Sequence, residues 1–240
     1  MQSFSFVKAI FEFVLLIFSL SVHECCHAWM ASRLGDQTAR LQGRVTLNPM
    51  YHVDLIGTLL FPAIMIFGPF LGLSMFGGML VGWAKPTPII SRNFQKIRRD
   101  ENLVTLAGPA SNLLIVAVAL AILVVLSLAI PHGQDVVVGS FIEVLAPAGE
   151  VIPQPLVVLC TLAILINLSL FFFNLLPIPP LDGSHLLRNA LPYPAVQQYD
   201  KIGGIFSWLL MIFVGGFILR LLISPALGAV YFVLTHVGRP

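Results

Sequence analysis

The sequence predicts an all-α polytopic membrane protein with about four to six apolar segments, a small membrane-associated β-hairpin and a re-entrant segment. Three observations lead there. The 240 residues are 58% hydrophobic and only 10% charged, too little charge to cover a water-facing surface, and the mean hydropathy is +0.93. Apolar runs lie near residues 4–30, 55–82, 103–130, 155–176 and 202–223, with a weaker one near 225–237. Most approach or exceed the roughly 20 residues that a helix needs to cross a bilayer. Finally, Pro and Gly are concentrated inside one of these runs, and a short alternating stretch precedes it.

The first run, Phe4 to Val22, has Lys8 as its one basic residue and lacks a small-residue cleavage site. It reads as a retained helix and not a signal peptide. Residues 33–54 are polar by comparison. Arg44–Leu47 alternates polar and apolar as a half-buried strand does, Gly43 permits a turn, and Asn48–Pro49 closes the second strand. A hairpin over 38–49 is expected.

The run 55–82 contains Pro62, Gly68-Pro69, Gly72 and Gly77-Gly78, poor material for one straight helix. The connection 83–102 carries Lys85, Arg92, Lys96, Arg98 and Arg99, whereas 131–154 has Asp135, Glu143 and Glu150 and no Lys or Arg. By the bias of basic residues toward the cytoplasm, 83–102 is cytoplasmic and 131–154 external. Helix 155–176 then runs inward, and Arg188 and Lys201 follow it on the cytoplasmic side.

No repeat, low-complexity tract or long polar connection appears. A single domain is expected over 1–240, with its core at 4–190 and C-terminal helices at 202–237. The formal net charge is +2, and without a basic stripe no nucleic-acid partner is expected. Cys25, Cys26 and Cys160 all fall in apolar runs, so a disulfide framework is not expected. The bilayer is the expected partner, and the oligomeric state stays open.

The chemistry begins at the end of the first run, where His23-Glu24-Cys25-Cys26-His27 fits H-E-x-x-H. Residues four apart share one helix face, so both imidazoles can bind one metal ion. Glu24 sits beside that face, within reach of a metal-bound water without being a ligand. Zinc lowers the pKa of such a water to about 7, and a carboxylate can take its proton. Cys26 flanks the ligand face and Cys25 points away from it. An ionisable cluster on an apolar helix is costly, which makes it a functional site by default. The competing reading is a hydrated helix end.

A catalytic zinc has three protein ligands and one open position. The best third ligand is Asp182, in Asn174-Leu-Leu-Pro-Ile-Pro-Pro-Leu-Asp-Gly183. Pro177, Pro179 and Pro180 break the preceding helix, and Gly183 is expected to allow a tight turn. His185, His52 and Asp54 compete for the role. Ligation by two His and one Asp suits zinc and also other first-row ions.

Together, H-E-x-x-H on a transmembrane helix, N-x-x-P-x-x-P-L-D-G and Ala107-Gly-Pro-Ala-Ser-Asn112 resemble the site-2 protease family of intramembrane zinc peptidases. Gly35-Asp36, Leu47-Asn48-Pro49 and Gly82-Trp-Ala-Lys-Pro86 resemble its compact bacterial members, so the likeness covers about 20 to 190. The resemblance implies one Zn²⁺ per chain, held by His23, His27 and Asp182, with Glu24 as catalytic base. It also implies a transmembrane protein substrate and a bacterial cell membrane. Asn112 and Asn174 match positions implied to contact substrate or the oxyanion; each could instead be a helix–helix hydrogen bond. No segment here holds the PDZ or CBS domain that family members often carry.

Placing the ligands at one depth has a consequence. Asp182 lies toward the cytoplasm, so the end of the first helix does too, and 33–54 and 83–102 share that side. Residues 55–82 must therefore enter and return. The hairpin could pair with an extended substrate by strand addition. Two other functions compete: an ion transporter using intramembrane His and Asp, and a catalytically inactive metal-binding scaffold.

Overall fold

The structure is a computed structural model that describes residues 2–72, 84–149, 152–201 and 216–237, with Gly204, Ser207, Leu210 and Met211. Among the described residues every regular element is helical. In chain order these are α1 (Gln2–Arg33), α2 (Thr38–Leu41), α3 (Phe61–Phe67), α4 (Ile97–Ala129), α5 (Gly133–Leu145), α6 (Pro155–Asn174), α7 (Asp182–Ala190), α8 (Tyr193–Tyr199) and α9 (Gly216–His236). Among the described residues α1, α4, α6 and α9 are long and apolar enough to cross a membrane.

Helix α4 lies against both α1 and α6. Its direction follows from paired contacts: His27 of α1 meets Val104, and His23 meets Asn112. As one number falls the other rises, so α1 and α4 are antiparallel. Helix α6 runs parallel to α1, because Phe11 and Leu15 pack on Val158 and Leu162 while Leu16 and Leu20 pack on Ile166. The end of α1, the start of α4 and the end of α6 consequently share one side of the bundle.

Helix α5 corrects the expected connection at 131–154. Its 13 residues are too short to span a bilayer, but that length suffices for a buried core helix. Val137 and Phe141 pack with Leu123, Val157 and Leu234, and Glu143 accepts hydrogen bonds from the Ala148 and Gly149 amides. Helix α9 continues through Pro225 instead of stopping there. One intrahelical bond is lost at a proline, yet the helix is secured elsewhere: Gln134 Nε2 donates to the Leu234 and Thr235 carbonyls at its end.

The expected hairpin at 38–49 is not present. Thr38–Leu41 forms a helical turn, and Pro49–Tyr51 a 3₁₀ turn. Burial explains why the alternation misled. Arg44 is the buried member of the stretch, while Val45 and Leu47 are exposed, the reverse of a strand packing its apolar face. The Arg44 guanidinium donates to the Tyr51 carbonyl, and His52 Nε2 donates to Thr46 O at 2.8 Å. Side chains, not a strand ladder, hold this loop together. Gly43, at φ 72°, supplies the left-handed turn that a side chain would strain.

The segment after it starts where Asp54 Oδ1 accepts from the Ile56 and Gly57 amides at 3.0 and 2.7 Å. Residues 55–71 then pass toward the N-terminal part of α1, where Phe67 packs on Phe6 and Phe13, and Phe70 on Phe6. Residues 73–82 of the expected re-entrant segment lie outside the described residues. Beyond it, the Lys85 amide donates to His52 O at 2.8 Å, so the two flanks of the segment meet.

Candidate metal centre

Two imidazoles and a carboxylate converge where α1, α4 and α7 meet. His23 and His27 lie four residues apart on the face of α1 that packs on α4, and both are buried. Asp182 is the first residue of α7, brought back to α1 by the proline-broken turn after α6. Their facing atoms are His23 Nε2, His27 Nε2 and Asp182 Oδ2. The separations are 3.0 Å between the two nitrogens, and 3.1 and 3.4 Å from Oδ2 to His23 and His27.

The hydrogen atoms decide what such a cluster can hold. His27 Nδ1 is 2.7 Å from the Val104 carbonyl, which can only accept, so Nδ1 carries the proton. His23 Nδ1 is 2.7 Å from Asn112 Oδ1, another acceptor. In the neutral imidazoles both Nε2 atoms therefore present lone pairs, and Asp182 Oδ2 faces them, buried and without a hydrogen-bond donor. Three lone pairs at this range repel unless a cation lies between them. Burial pushes the Asp182 carboxyl up, but the His23 and His27 side chains beside it outweigh burial and hold it well below the usual carboxylate range.

A metal ion fits better than a proton. Tetrahedral ligands at zinc distances of about 2.0–2.1 Å stand roughly 3.3–3.4 Å apart, close to the separations found. Space is reserved as well: a Cβ on Gly108 would lie 2.3 Å from His27 Nε2 and 2.6 Å from His23 Nε2. Gly108 leaves the floor of the site open. Gly183 has a different role from the expected tight turn, since it is not among the residues with positive φ. Its Cβ would stand 2.2 Å from Leu175 O, so its absence lets the start of α7 close on the end of α6 and delivers Asp182.

Glu24 is next to the cluster, half-buried, with Oε2 accepting from the Thr87 amide at 3.1 Å and the Thr87 hydroxyl at 2.7 Å. Oε1 has no hydrogen-bond partner among the described residues. Thr87 belongs to an extended segment that Asp36 secures by accepting from the Ile90 amide at 2.7 Å and Asn93 Nδ2 at 2.8 Å.

The rival ligands are occupied elsewhere or lie apart. His52 is bonded within its loop, Asp54 caps the helix that follows, and His185 is exposed on α7. Cys25 and Cys26 are free thiols, and neither belongs to the three-residue cluster. Asn112 is fully buried behind His23, with Oδ1 on the imidazole and Nδ2 on Asn167 Oδ1 at 2.8 Å. That position differs from the substrate-facing one the resemblance implies. Asn174 is half-buried, and its Nδ2 donates to Leu170 O at 2.9 Å.

Sequence reasoning missed Asn167 and Thr87. An Asn inside the apolar run 155–173 was itself a signal, because a polar side chain in a spanning helix needs a partner. Thr87 offered none, since one hydroxyl in an irregular stretch is unremarkable until the fold lays it on Glu24.

Comparison with known proteins agrees with this geometry. The model of peptidase family M50 matches residues 11–214. The chain is 37% identical over 184 residues to "Putative zinc metalloprotease YwhC" of Bacillus subtilis, covering 77% of this chain and 70% of that protein. It is 27% identical over 228 residues to "Putative zinc metalloprotease Rip2" of Mycolicibacterium smegmatis, covering 93% of this chain and 72% of that one. No solved structure matches the chain significantly. With its H-E-x-x-H helix, its returning aspartate and the four long apolar helices among its described residues, the chain belongs to peptidase family M50, the site-2 protease family of intramembrane zinc metalloproteases.

Proposed function

We propose that the protein hydrolyses peptide bonds of transmembrane protein substrates, with one Zn²⁺ per chain held by His23, His27 and Asp182 and with Glu24 as general base. The observation that carries this reading is the convergence of three lone-pair atoms within 3.0–3.4 Å of one another over a glycine that leaves room for an ion. Zinc, when bound there, supplies Lewis-acid polarisation of a carbonyl and acidifies a coordinated water.

The chain's own residues do the rest. Glu24 accepts the proton of the attacking water and passes it to the leaving amine. Thr87 holds Oε2 of that carboxylate, so Oε1 is the oxygen free to work. Val104 O and Asn112 hold the two imidazoles. Asn112 serves as a partner of His23, and Asn174, whose second amide hydrogen has no partner among the described residues, is the remaining group for a developing oxyanion.

The proposal extends to topology. Residues 55–82 form a re-entrant segment, supported by the meeting of its flanks at His52 and Lys85 and by the tilted and edge-on packing of Phe67 and Phe70 on Phe6. The antiparallel α1 and α4 support the same even number of crossings between them. The proposed side for the metal centre is the cytoplasmic one of a bacterial cell membrane, a reading supported by the basic residues at 83–102. Family membership disfavours the ion-transport and inactive-scaffold readings.

The test is metal analysis and cleavage of a transmembrane peptide by the purified protein. Wild type should hold one zinc and cleave. Glu24→Gln should hold zinc and lose at least about 100-fold in rate, the usual contribution of a general base. Zinc-free wild type that still cleaves would remove the metal from the reaction.

A further inference from the structure

We infer that Asn167, on α6, is a positioning residue that determines which nitrogen of His23 faces the metal point, acting through Asn112. The inference rests on the reading of His23, His27 and Asp182 as a metal centre.

The argument starts from a carbonyl that can only accept. Asn167 Nδ2 is 2.9 Å from Ala163 O, one turn earlier on the same helix, and 2.9 Å from Ser19 Oγ on α1. Ala163 O therefore fixes the amide: Nδ2 points to it, and Oδ1 must face the other way. Facing Oδ1, at 2.8 Å, is the Asn112 side chain. Asn112 has to present Nδ2 as donor, which leaves its own Oδ1 toward His23 Nδ1 at 2.7 Å. His23 then carries its proton on Nδ1 and keeps the lone pair of Nε2 for a cation. A backbone carbonyl on α6 thus sets the tautomer of a ligand on α1 through two amides.

The comparison with His27 shows why the relay is needed. Its Nδ1 is held by Val104 O, a backbone group that cannot turn over. His23 rests on a side-chain amide, and an amide can flip. A flipped Asn112 would offer N–H to Nδ1, move the proton of His23 to Nε2 and block the metal lone pair. Asn167 prevents it, because the flip would set two carbonyl oxygens against each other at 2.8 Å. Ser19, Asn112 and Asn167 are each 0% exposed, so no water substitutes for a missing partner, and a buried unpaired group carries its full desolvation cost. Groups that hydrogen-bond to metal-bound histidines typically carry about 10–100-fold in metal affinity.

A plain interhelical hydrogen bond would also place an Asn here, and the experiment separates the two. Zinc affinity is measured by chelator competition on the full-length purified protein for wild type, Asn167→Leu, Asn112→Leu and the double variant, with helical content followed by circular dichroism. The expected result is a loss of about 10–100-fold for Asn167→Leu, with helicity retained. The double variant should be no weaker than Asn112→Leu alone, because the first residue acts only through the second. Unchanged affinity in Asn167→Leu, or additive losses, would overturn the inference. Should Asn167→Leu fail to fold, Asn167→Ser, whose shorter side chain does not reach Asn112, decides by the same affinity measurement: a loss of about 10-fold or more upholds the relay, and an unchanged affinity overturns it. Wild type that binds no zinc would instead overturn the metal-centre reading itself.

Discussion

Gly108 and His27 are packed so that the glycine has no room for a side chain: a Cβ would stand 2.3 Å from His27 Nε2. The close approach is made by α4 at Gly108-Pro109, where the helix lacks both a side chain and an amide hydrogen. Gly108→Ala should therefore displace the imidazoles before it disturbs the bundle. Overpacking of this kind costs about 1–3 kcal/mol, which a four-helix membrane core withstands. The expected outcome is a protein that folds by circular dichroism but whose zinc content falls at least about 10-fold. Full zinc occupancy in that variant would show that the ligands sit elsewhere.

Thr87 and Glu24 make a second prediction, about rate and not metal. Thr87→Val keeps the shape and the backbone N–H but removes the hydroxyl that donates to Oε2 at 2.7 Å. A hydrogen bond to a charged group is worth about 1.5–3 kcal/mol. The rate constant kcat should fall about 10-fold or more, with KM and zinc content unchanged, and Thr87→Ser should restore most of it. Equal kcat values for Val and Thr would dissociate Thr87 from the base.

The topology is open to a direct measurement. Reporters inserted after Gln42 and after Arg92 should both read cytoplasmic, because the flanks of 55–82 meet at the His52–Lys85 hydrogen bond. Opposite sides would place α1 and α4 in an arrangement that cannot bring His23 beside Asn112.

Asp36 gives a prediction in pH. It is buried outside the apolar helices, where burial pushes its carboxyl up. The donors from Ile90, Thr38 and Asn93 more than reverse this, and its pKa is lowered. A folded pKa below the unfolded value of about 3.9 means that its stabilisation is present above about pH 4 and fades as pH falls through the folded value. Asp36→Ala should cost about 3 kcal/mol at pH 7. Thermal unfolding of wild type should weaken from pH 5 to pH 2 more than that of Asp36→Asn. Parallel losses in the two proteins would assign the acid sensitivity to other groups.

Much of the site could be read from residue order. His23 and His27 announce themselves through a four-residue spacing, because a helix converts that spacing into one face. Asp182 was legible through the prolines that break α6 ahead of it. The loop at 38–49 was misread for an equally local reason: alternation was present, but the buried member was Arg44, and only packing reveals which face of an alternating stretch turns inward. Helix α5 escaped because 13 residues fall below the length of a span while still filling a core.

By itself, then, the sequence determined the membrane setting, and it pointed to the ligand pair with its base and to a return of residues 55–82. Each rests on composition or on spacing along one element, which local geometry fixes. The tertiary structure alone decided that Gly108 is the floor of the centre, that Thr87 holds Glu24, and that the orientation of His23 runs through Asn112 to Asn167 and the Ala163 carbonyl. Apart from the Asn167–Ala163 bond within α6, these are contacts between residues 55 to 89 positions apart. Their partners are chosen by how helices pack, and hydrogen-bond direction is set only once donor meets acceptor across that packing.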